Sequence, residues 1–379
     1  AGVQPAYQGF VKLHPLALGD GPQDALHVLH GQGLLVDEVG GVVGVAGVDG
    51  RNVYWANAEN AHISILGQSG TGKTYLISRL AKEACRQGFN VVIPDYSDSF
   101  LQMQDSCVLH TDIRKINLDI LSNSKGRDVE ARAEELISSI RLFCKIGIVK
   151  QDTIRQLAVS FLQENSTNET VPELISYCEK QLKASSEIEM IRNYLGLIVP
   201  ISADAYTHVS IRQPGMIHII QFPYWTGSDQ RLKYTEMILA QVWNEQICPC
   251  MASKPVIFVL DEAHGLHLGS QNMSTRILRE GRKFGISGWF ITQWADDIKM
   301  LNTLSQAALR IFFRPGTENI KSLAKALAHG NLKSALQYRQ MIAGMRVGDF
   351  FFFNTSGNAV YVKNTDTNQI QEGGNYNGL

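Results

Sequence analysis

The sequence predicts an α/β fold built on a doubly wound, mostly parallel sheet, and three observations support this fold class. Near-continuous apolar runs alternate with helical patterns from residue 62 onward, beginning with residues 62–66, a helix ending near Arg86, and residues 90–94. Parallel strands covered on both faces carry such unbroken apolar runs. A glycine-rich stretch directly follows the first run, and a hydrophobic content of 44% is ample for a large core.

The glycine-rich stretch reads G-Q-S-G-T-G-K-T and fits the pattern G-x-x-x-x-G-K-[ST]. Its glycines let successive N–H groups face phosphate oxygens, and the following helix directs its partial positive charge at the same place. A surface turn is the alternative, and the flanking strand and helix patterns argue against it. We therefore predict a site for ATP and Mg²⁺, with the hydroxyl of Thr74 on the metal. Its phosphate-binding residues are Gly67, Gln68, Ser69, Gly70, Thr71, Gly72, Lys73 and Thr74.

A second group of candidate residues follows the apolar strands at 256–260 and 287–292. The first strand ends in Asp261 and Glu262, and the second ends at Gln293. Because ligands of open parallel sheets bind at the carboxyl ends of strands, Asp261 would hold Mg²⁺ and Glu262 would polarise the attacking water. The Gln293 amide would sense the γ-phosphate or orient that water. Helix capping by the two carboxylates and a surface position for the glutamine are the alternatives.

Five segments are predicted along the chain. Residues 1–60 carry short Gly- and Val-rich runs and predict a small β-rich N-terminal segment. Residues 61–127 and 208–365 are the two parts of the ATPase core. Between them, residues 128–207 change to helical periodicity, which predicts an all-helical insertion whose aliphatic stripes form its own core. Residues 366–379 are predicted to be a flexible tail.

Composition and charge restrict the classes of partner. The chain has 35 Lys and Arg against 36 Asp and Glu, so any nucleic-acid contact must be local. Its six cysteines are predicted to be reduced, because only Cys248 and Cys250 are close and their spacing is too tight for a zinc knuckle. No apolar run reaches the roughly 18 residues of a membrane span, and no signal pattern opens the chain, which predicts a cytoplasmic protein with no membrane partner. Residue 1 is Ala, which leaves open that the chain is a piece of a longer protein.

The motifs, taken in order, resemble a known family. The phosphate loop, V-L-D-E-A-H, the helix R-I-L-R-E-G-R-K-F-G and the strand end F-I-T-Q are together similar to the HerA/FtsK superfamily of ring-forming P-loop ATPases, which have a RecA-like core. They are nearer the HerA branch, and the resemblance covers residues 45–365. The letters D-E-A-H also occur in DEAH-box helicases, but residues 279–285 match the arginine-rich element of those helicases poorly. Whether the DptH-type restriction ATPases are the nearest group stays open.

The resemblance implies a homohexamer with ATP sites between subunits and DNA, expected to be duplex, in a central pore. It implies a role in DNA repair, DNA processing or phage defence, with a nuclease or another effector subunit as partner. Charge that develops on the transferred phosphoryl group then calls for a cation from a neighbouring subunit. The candidates are Arg314 and Arg310, which flank an apolar strand. A second group, spaced along one helix, is more typical of a solvated or interface face: Arg276, Arg279 and Arg282.

Four other residues each leave two interpretations open. Asp95, at the end of the second strand, is either an acidic active-site residue or a turn-forming residue. His264 either orients a catalytic carboxylate or packs as a structural histidine. Tyr224 and Trp225, after the strand at 217–222, either stack on bases in a pore loop or cover a loop.

The function predicted from the sequence is a DNA-translocating ATPase. One alternative is a motor that moves protein, like the related secretion-system ATPases, and near-neutral charge is compatible with it. The other is an ATP-dependent scaffold or switch in a defence complex. Glu262 and Gln293 argue against a scaffold, because a protein that only binds ATP has no need to activate water.

Overall fold

The computed structural model describes residues 28–31, 34–35, 44–46, 52–53, 62–95, 97–124, 126–165, 169–199, 213–247, 255–266, 272–293, 306–307, 309–328, 331–353 and 359–364. Within these ranges the strands are β1 (Val28–Gly31), β2 (Leu34–Leu35), β3 (Gly44–Ala46), β4 (Asn52–Val53), β5 (Ile63–Leu66), β6 (Asn90–Asp95), β7 (Val108–Asp112), β8 (Ile217–Gln221), β9 (Val256–Leu260), β10 (Ile286–Thr292), β11 (Leu309–Phe313), β12 (Phe350–Phe353) and β13 (Ala359–Asn364). The α-helices in the same ranges are α1 (Lys73–Arg86), α2 (Ile120–Asn123), α3 (Val129–Phe143), α4 (Ile148–Glu164), α5 (Val171–Gln181), α6 (Ser185–Leu195), α7 (Ser228–Ile247), α8 (Met273–Glu280), α9 (Ile320–Leu327) and α10 (Leu332–Ala343).

Ten of these strands form one sheet in the order β1-β13-β12-β11-β5-β10-β9-β6-β8-β7. All neighbouring pairs from β11 through β5 to β7 are parallel, which confirms the predicted α/β fold class. The strand β12 pairs antiparallel with both β11 and β13, although its apolar run reads like those of the parallel strands. The strand before the phosphate loop, β5, lies inside the sheet between β11 and β10.

Both faces of the sheet are covered, as the apolar runs predict. On β9, Ile257 and Val259 pack in the cluster that contains the inner face of α1. Phe258 and Leu260 point to the opposite face and pack with α7 and α8. Alternate residues of one strand therefore serve two hydrophobic clusters, and the strand end is held rigidly between them.

The helices α3 to α6 enclose a separate hydrophobic cluster. Ile154 and Phe161 of α4, Leu174 of α5 and Leu195 of α6 are all buried in it, so the aliphatic stripes lie in a core. A buried ion pair crosses this part of the molecule, with Arg132 Nη2 at 2.9 Å from Glu169 Oε2. Arg132 also donates to the carbonyl of Leu121 and the hydroxyl of Ser124, which satisfies the guanidinium inside the helices.

Short strands are described in the predicted N-terminal segment. The strand β1, within the predicted N-terminal segment, joins the main sheet by pairing parallel with β13. Of the strands that the structure describes, β2, β3 and β4 form a separate small sheet. The predicted tail at 366–379 lies outside the described residues. Across the described ranges, no helix combines the length and apolar character that crossing a bilayer requires.

Candidate nucleotide site

The phosphate loop lies between β5 and α1, and its glycines are required by close packing and by backbone shape. A Cβ added at Gly67 would lie 2.5 Å from the Cβ of Phe313, the last residue of the adjacent strand β11. Gly70 and Gly72 have φ of 75° and 103°, a left-handed region that residues with a Cβ rarely adopt. A Cβ at Gly70 would meet nothing within 4 Å, so the loop is open on this side.

Lys73, the first residue of α1, reaches back across the loop. Its Nζ donates to the carbonyls of Gly67 at 2.9 Å and Gln68 at 3.0 Å. Burial lowers the pKa of Lys73, while the charges of Asp261 and Glu262 oppose that shift. A buried ammonium beside a helix N-terminus is suited to bind the outer phosphates of a nucleotide.

Asp261, Glu262 and Gln293 lie at the carboxyl ends of two neighbouring strands. The backbone N–H of Glu262 donates to Asp261 Oδ1 at 2.9 Å, and Gln293 Nε2 donates to Glu262 Oε1 at 3.3 Å. Glu262 has φ of 48°, a strained conformation for a residue with a side chain. Burial raises the pKa of Asp261, and the nearby Lys73 lowers it. The structure thus brings the predicted magnesium ligand, base and amide together beside Lys73.

Asp95 sits one strand further along the same sheet edge. Its two carboxylate oxygens accept the backbone N–H groups of Ser99 at 2.8 Å and Phe100 at 2.9 Å, which is the turn-forming role. Burial raises the pKa of Asp95 to about 6, and the charges of Asp98 and Asp261 add to the rise. This turn also brings Ser97 Oγ to 3.5 Å from Asp261 Oδ2, a contact that the sequence analysis missed. The sequence feature that could have indicated this contact is the run of polar residues directly after the end of the strand.

The two arginines predicted to act on a neighbouring site lie close to the phosphate loop of their own chain. The carbonyl of Arg314 accepts a hydrogen bond from the N–H of Gln68 at 2.9 Å, and the Arg314 side chain is exposed. Arg310 lies within β11, is half-buried, and stands opposite Ser64 of β5. The three arginines of the alternative group are exposed on α8 and the turn after it, at positions 276, 279 and 282.

A second loop packs on the phosphate loop and was not assigned to the site from the sequence. The N–H of Gly348 donates to the carbonyl of Thr71 at 2.9 Å. A Cβ added at Gly72 would lie 3.4 Å from the Gly348 backbone, which is van der Waals contact, so the two glycines lie side by side. Gly348 lies within the range 45–365 that the family resemblance covers. A glycine-to-glycine contact of this kind leaves no local pattern in the sequence.

The remaining candidate residues lie at the same sheet edge or next to it. Tyr224 is 93% exposed and Trp225 is 55% exposed, which does not fit the interpretation that they cover a loop. The backbone of His264 lies in the short 3₁₀ helix Ala263–Leu266, and its side chain lies outside what the structure describes.

The residues present fit a magnesium ion that is bound together with phosphates. In the described parts of the chain, no group of three or more His, Cys, Asp or Glu side chains could hold a metal by itself. Mg²⁺ usually keeps several waters and takes one or two protein oxygens plus substrate phosphates. The Thr74 hydroxyl and the Asp261 carboxylate, beside the open loop, are suited to that arrangement.

Comparison with a family model decides the family. The model "Helicase HerA, central domain" matches residues 52–242, half of the chain, including the phosphate loop. The chain belongs to the HerA central-domain family. The resemblance stated from the motifs is therefore confirmed, and this HerA-family chain has the fold and phosphate loop of a P-loop ATPase. No curated protein matches its sequence.

Solved structures support the same fold for the HerA-family chain. VirB4 of Thermoanaerobacter pseudethanolicus is 17% identical with a TM-score of 0.61, and the alignment covers 89% of this chain and 99% of that one. The plasmid coupling protein TrwB in complex with the ATP analogue ADPNP is 14% identical with a TM-score of 0.56, and the alignment covers 80% of this chain and 84% of that one. TrwB in complex with ADP and Mg²⁺ is 14% identical with a TM-score of 0.56, and the alignment covers 81% of this chain and 86% of that one.

Proposed function

We propose that this HerA-family chain hydrolyses ATP and uses the reaction to move DNA through the central pore of a homohexamer. The proposal rests on one observation, which is that four side chains lie together at the carboxyl ends of the parallel strands: Lys73, Asp261, Glu262 and Gln293. Binding a nucleotide requires the loop and the lysine alone. A carboxylate positioned beside them by an amide, as Glu262 is by Gln293 at 3.3 Å, adds the means to activate water.

The proposed reaction assigns one task to each side chain. Lys73 and the loop N–H groups bind the outer phosphates, and Thr74 and Asp261 hold Mg²⁺, which supplies positive charge at the phosphate oxygens. Glu262 accepts a proton as the water oxygen forms a bond to the γ-phosphorus. The bond from that phosphorus to the bridging oxygen breaks, and ADP and inorganic phosphate leave. Gln293 holds the Glu262 carboxylate in position for the water.

The proposal includes a homohexamer because the transferred phosphoryl group gains charge, which a cation from a neighbouring subunit would stabilise. We propose that Arg314 or Arg310 supplies this cation, in a ring whose ATP sites lie between subunits. We propose that the ring holds duplex DNA in its pore and has a nuclease or another effector subunit as partner. We also propose a cytoplasmic location and a role in DNA repair, DNA processing or phage defence. The family membership supports this context.

Rates of ATP hydrolysis with and without DNA, measured beside the mass of the assembly with ATP, test the proposal. We expect a hexamer whose ATPase rate rises with DNA, and a monomer with full DNA-stimulated activity would contradict the ring. Lys73→Ala should lose tight ATP binding and hydrolysis, whereas Glu262→Gln should keep binding and lose hydrolysis. Normal hydrolysis by both variants would refute the site.

Two other outcomes would point to different functions. A ring that hydrolyses ATP at the same rate with and without DNA would favour a motor that moves protein. A Glu262→Gln variant that keeps its biological activity would favour an ATP-dependent scaffold or switch, because such a role does not require turnover.

A further inference from the structure

The exposed aromatic residues Tyr224 and Trp225 occupy a well-defined turn. The N–H of Thr226 donates to the carbonyl of Pro223 at 2.9 Å, which closes a β-turn with the two aromatics at its central positions. Phe222 and Thr226 on either side are only 6% and 5% exposed. We call residues 223–226 the aromatic turn. Buried neighbours anchor it, and it presents two large rings to solvent.

A series of contacts connects the aromatic turn to the nucleotide site. Arg231, in the first turn of α7, donates from Nε to the carbonyl of Thr226 at 3.1 Å. The same guanidinium donates from Nη1 to Asp98 Oδ2 at 3.3 Å. Asp98 lies in the turn that Asp95 holds by its backbone, and Ser97 of that turn approaches Asp261 at 3.5 Å. One arginine therefore contacts both the aromatic turn and the turn beside the proposed magnesium ligand.

We propose that the aromatic turn stacks against unpaired bases of the DNA that the motor moves, and that the Asp98–Arg231 ion pair is the positioning link between this turn and Asp261. The inference rests on the proposed function and adds to it the surface that contacts DNA. The bases that it contacts belong to a strand that has separated from the duplex in the pore, because bases inside a duplex present only their edges.

The geometry favours bases over a peptide as the occupant. Aromatic rings that stand free in solvent on consecutive residues offer flat faces on which bases stack, and stacking needs no particular sequence. A peptide chain is usually recognised by a groove or a free strand edge. Tyr224 and Trp225 stand at the tip of a turn, which is neither. A motor that moves along DNA benefits from contacts that accept every base.

Binding of a fluorescein-labelled oligo(dT) strand tests the contact. In Tyr224→Ala/Trp225→Ala, the Kd for oligo(dT) should rise about tenfold or more, as expected when two stacking rings are lost. The matched control is Ile148→Ala/Val149→Ala, which removes another adjacent pair of apolar side chains, 76% and 79% exposed, and should leave the Kd unchanged. Equal weakening in both double variants would overturn the inference.

The chemistry of the contact is tested by two further double variants. Tyr224→Phe/Trp225→Phe keeps the rings and should bind oligo(dT) within about threefold of wild type, whereas Tyr224→Leu/Trp225→Leu keeps apolar area without flat faces and should bind as weakly as the alanine variant. Retained binding and activity in the leucine variant would overturn base stacking and favour an apolar peptide contact. Tryptophan fluorescence gives a direct signal, since oligo(dT) should quench wild type more than Trp225→Phe.

The link is tested by Asp98→Asn, which removes the charge at a position with φ of 58°, where asparagine is tolerated. The basal ATPase rate should stay within about twofold of wild type, and stimulation by oligo(dT) should fall at least about threefold. Adding Asp98→Asn to Arg231→Gln should cause little further loss, because Arg231→Gln already breaks the contact that Asp98→Asn removes. Additive losses, or full stimulation in Asp98→Asn, would refute the link.

Failure of this inference and failure of the proposed function are distinguishable. If the wild-type protein neither binds DNA nor hydrolyses ATP faster with it, the proposed function fails. If wild type binds oligo(dT) and the alanine double variant binds it equally well, only the assignment of the aromatic turn fails. Binding of duplex but not of oligo(dT) would retain a DNA motor and refute stacking on unpaired bases.

Discussion

Gln293 donates a hydrogen bond to Glu262 from the end of the neighbouring strand, with Nε2 3.3 Å from Oε1. The two strands are adjacent and parallel, and their register places Phe290 beside Leu260 just before the strand ends. Strand pairing therefore sets the distance between the amide and the carboxylate. Movement of one strand end relative to the other would change how Glu262 faces a bound nucleotide.

Gln293→Ala should lower kcat for ATP hydrolysis about 10- to 100-fold, because the carboxylate loses the donor that orients it. The Kd for a non-hydrolysable ATP analogue should stay near that of wild type. Steady-state kinetics and equilibrium binding check the two expectations. Gln337→Ala, an exposed glutamine on α10, is the control and should change neither value. A full loss of nucleotide binding in Gln293→Ala would show that the residue acts in binding instead.

Glu262 is strained by its φ of 48°, and this strain should be measurable as stability. Replacing it by Gly should give a protein about 1 kcal/mol more stable than Glu262→Gln, with Glu262→Asn between them, because left-handed backbone suits Gly best and Asn next. Urea unfolding of the three variants checks this order. Gln156→Gly, at an exposed position inside α4, should destabilise by about 1 kcal/mol. The same sign at both positions would argue against strain at Glu262.

His218 should make the protein sensitive to mild acid. It lies fully buried on β8, and neither ring nitrogen has a hydrogen-bond partner among the residues that the structure describes. Burial lowers its pKa from 6.5 to about 4. Above pH 6.5 the ring is neutral in both folded and unfolded chains, so its contribution is retained. As the pH falls from 6.5 towards 4, the unfolded chain takes up the proton first and stability is lost.

His218→Leu isolates this effect, since the leucine cannot be protonated and leaves no unpartnered nitrogen. Between about pH 7 and about pH 5, wild type should lose about 2 kcal/mol more stability than His218→Leu. Urea unfolding at both values checks it. Other buried groups titrate in this range, including His62, Asp95 and Glu236, but they are common to both proteins and cancel in the comparison. Parallel losses in the two proteins would contradict the prediction.

Glu236 of α7 caps the helix that carries the exposed arginines. Its carboxylate accepts the N–H of Met273 at 2.7 Å and the hydroxyl of Ser274 at 2.7 Å, at the start of α8. Glu236→Ala should destabilise the protein by about 2 kcal/mol, because buried donors lose their acceptor. Glu236→Gln should cost less, since its carbonyl still accepts. Urea unfolding checks both, with exposed Glu187→Gln of α6 as a control expected to change little.

The main strands of the core could be predicted because each is an apolar run that ends at a polar residue. The bounds of β9 coincide with the apolar run at 256–260. The strand β7 was not predicted from the sequence. It is the last strand in the order of the sheet, and four of its five residues are only partly buried. Its sequence V-L-H-T-D therefore lacks the continuous apolar signature of a central strand.

The candidate site was predictable where it depends on local motifs and unpredictable where it depends on distant contacts. Residues of the phosphate loop and the strand ends carry recognisable patterns. The Asp98–Arg231 pair joins positions 133 residues apart, and the approach of Gly348 to Thr71 joins positions about twice as far apart in the sequence. Local sequence does not indicate such pairs, because the two residues come close together only when the sheet has folded.

The parallel pairing of β1 with β13 gives the first strand a protective role. β13 binds β12 on one side and β1 on the other, from Val28 opposite Tyr361 to Gly31 opposite Asn364. Without β1, the backbone N–H and C=O groups along that side of β13 would face solvent as an open template for another chain. A version of the protein that starts after residue 31 should therefore self-associate through this edge. Expression trials that trim the Gly- and Val-rich beginning would then report aggregation through the exposed edge of β13.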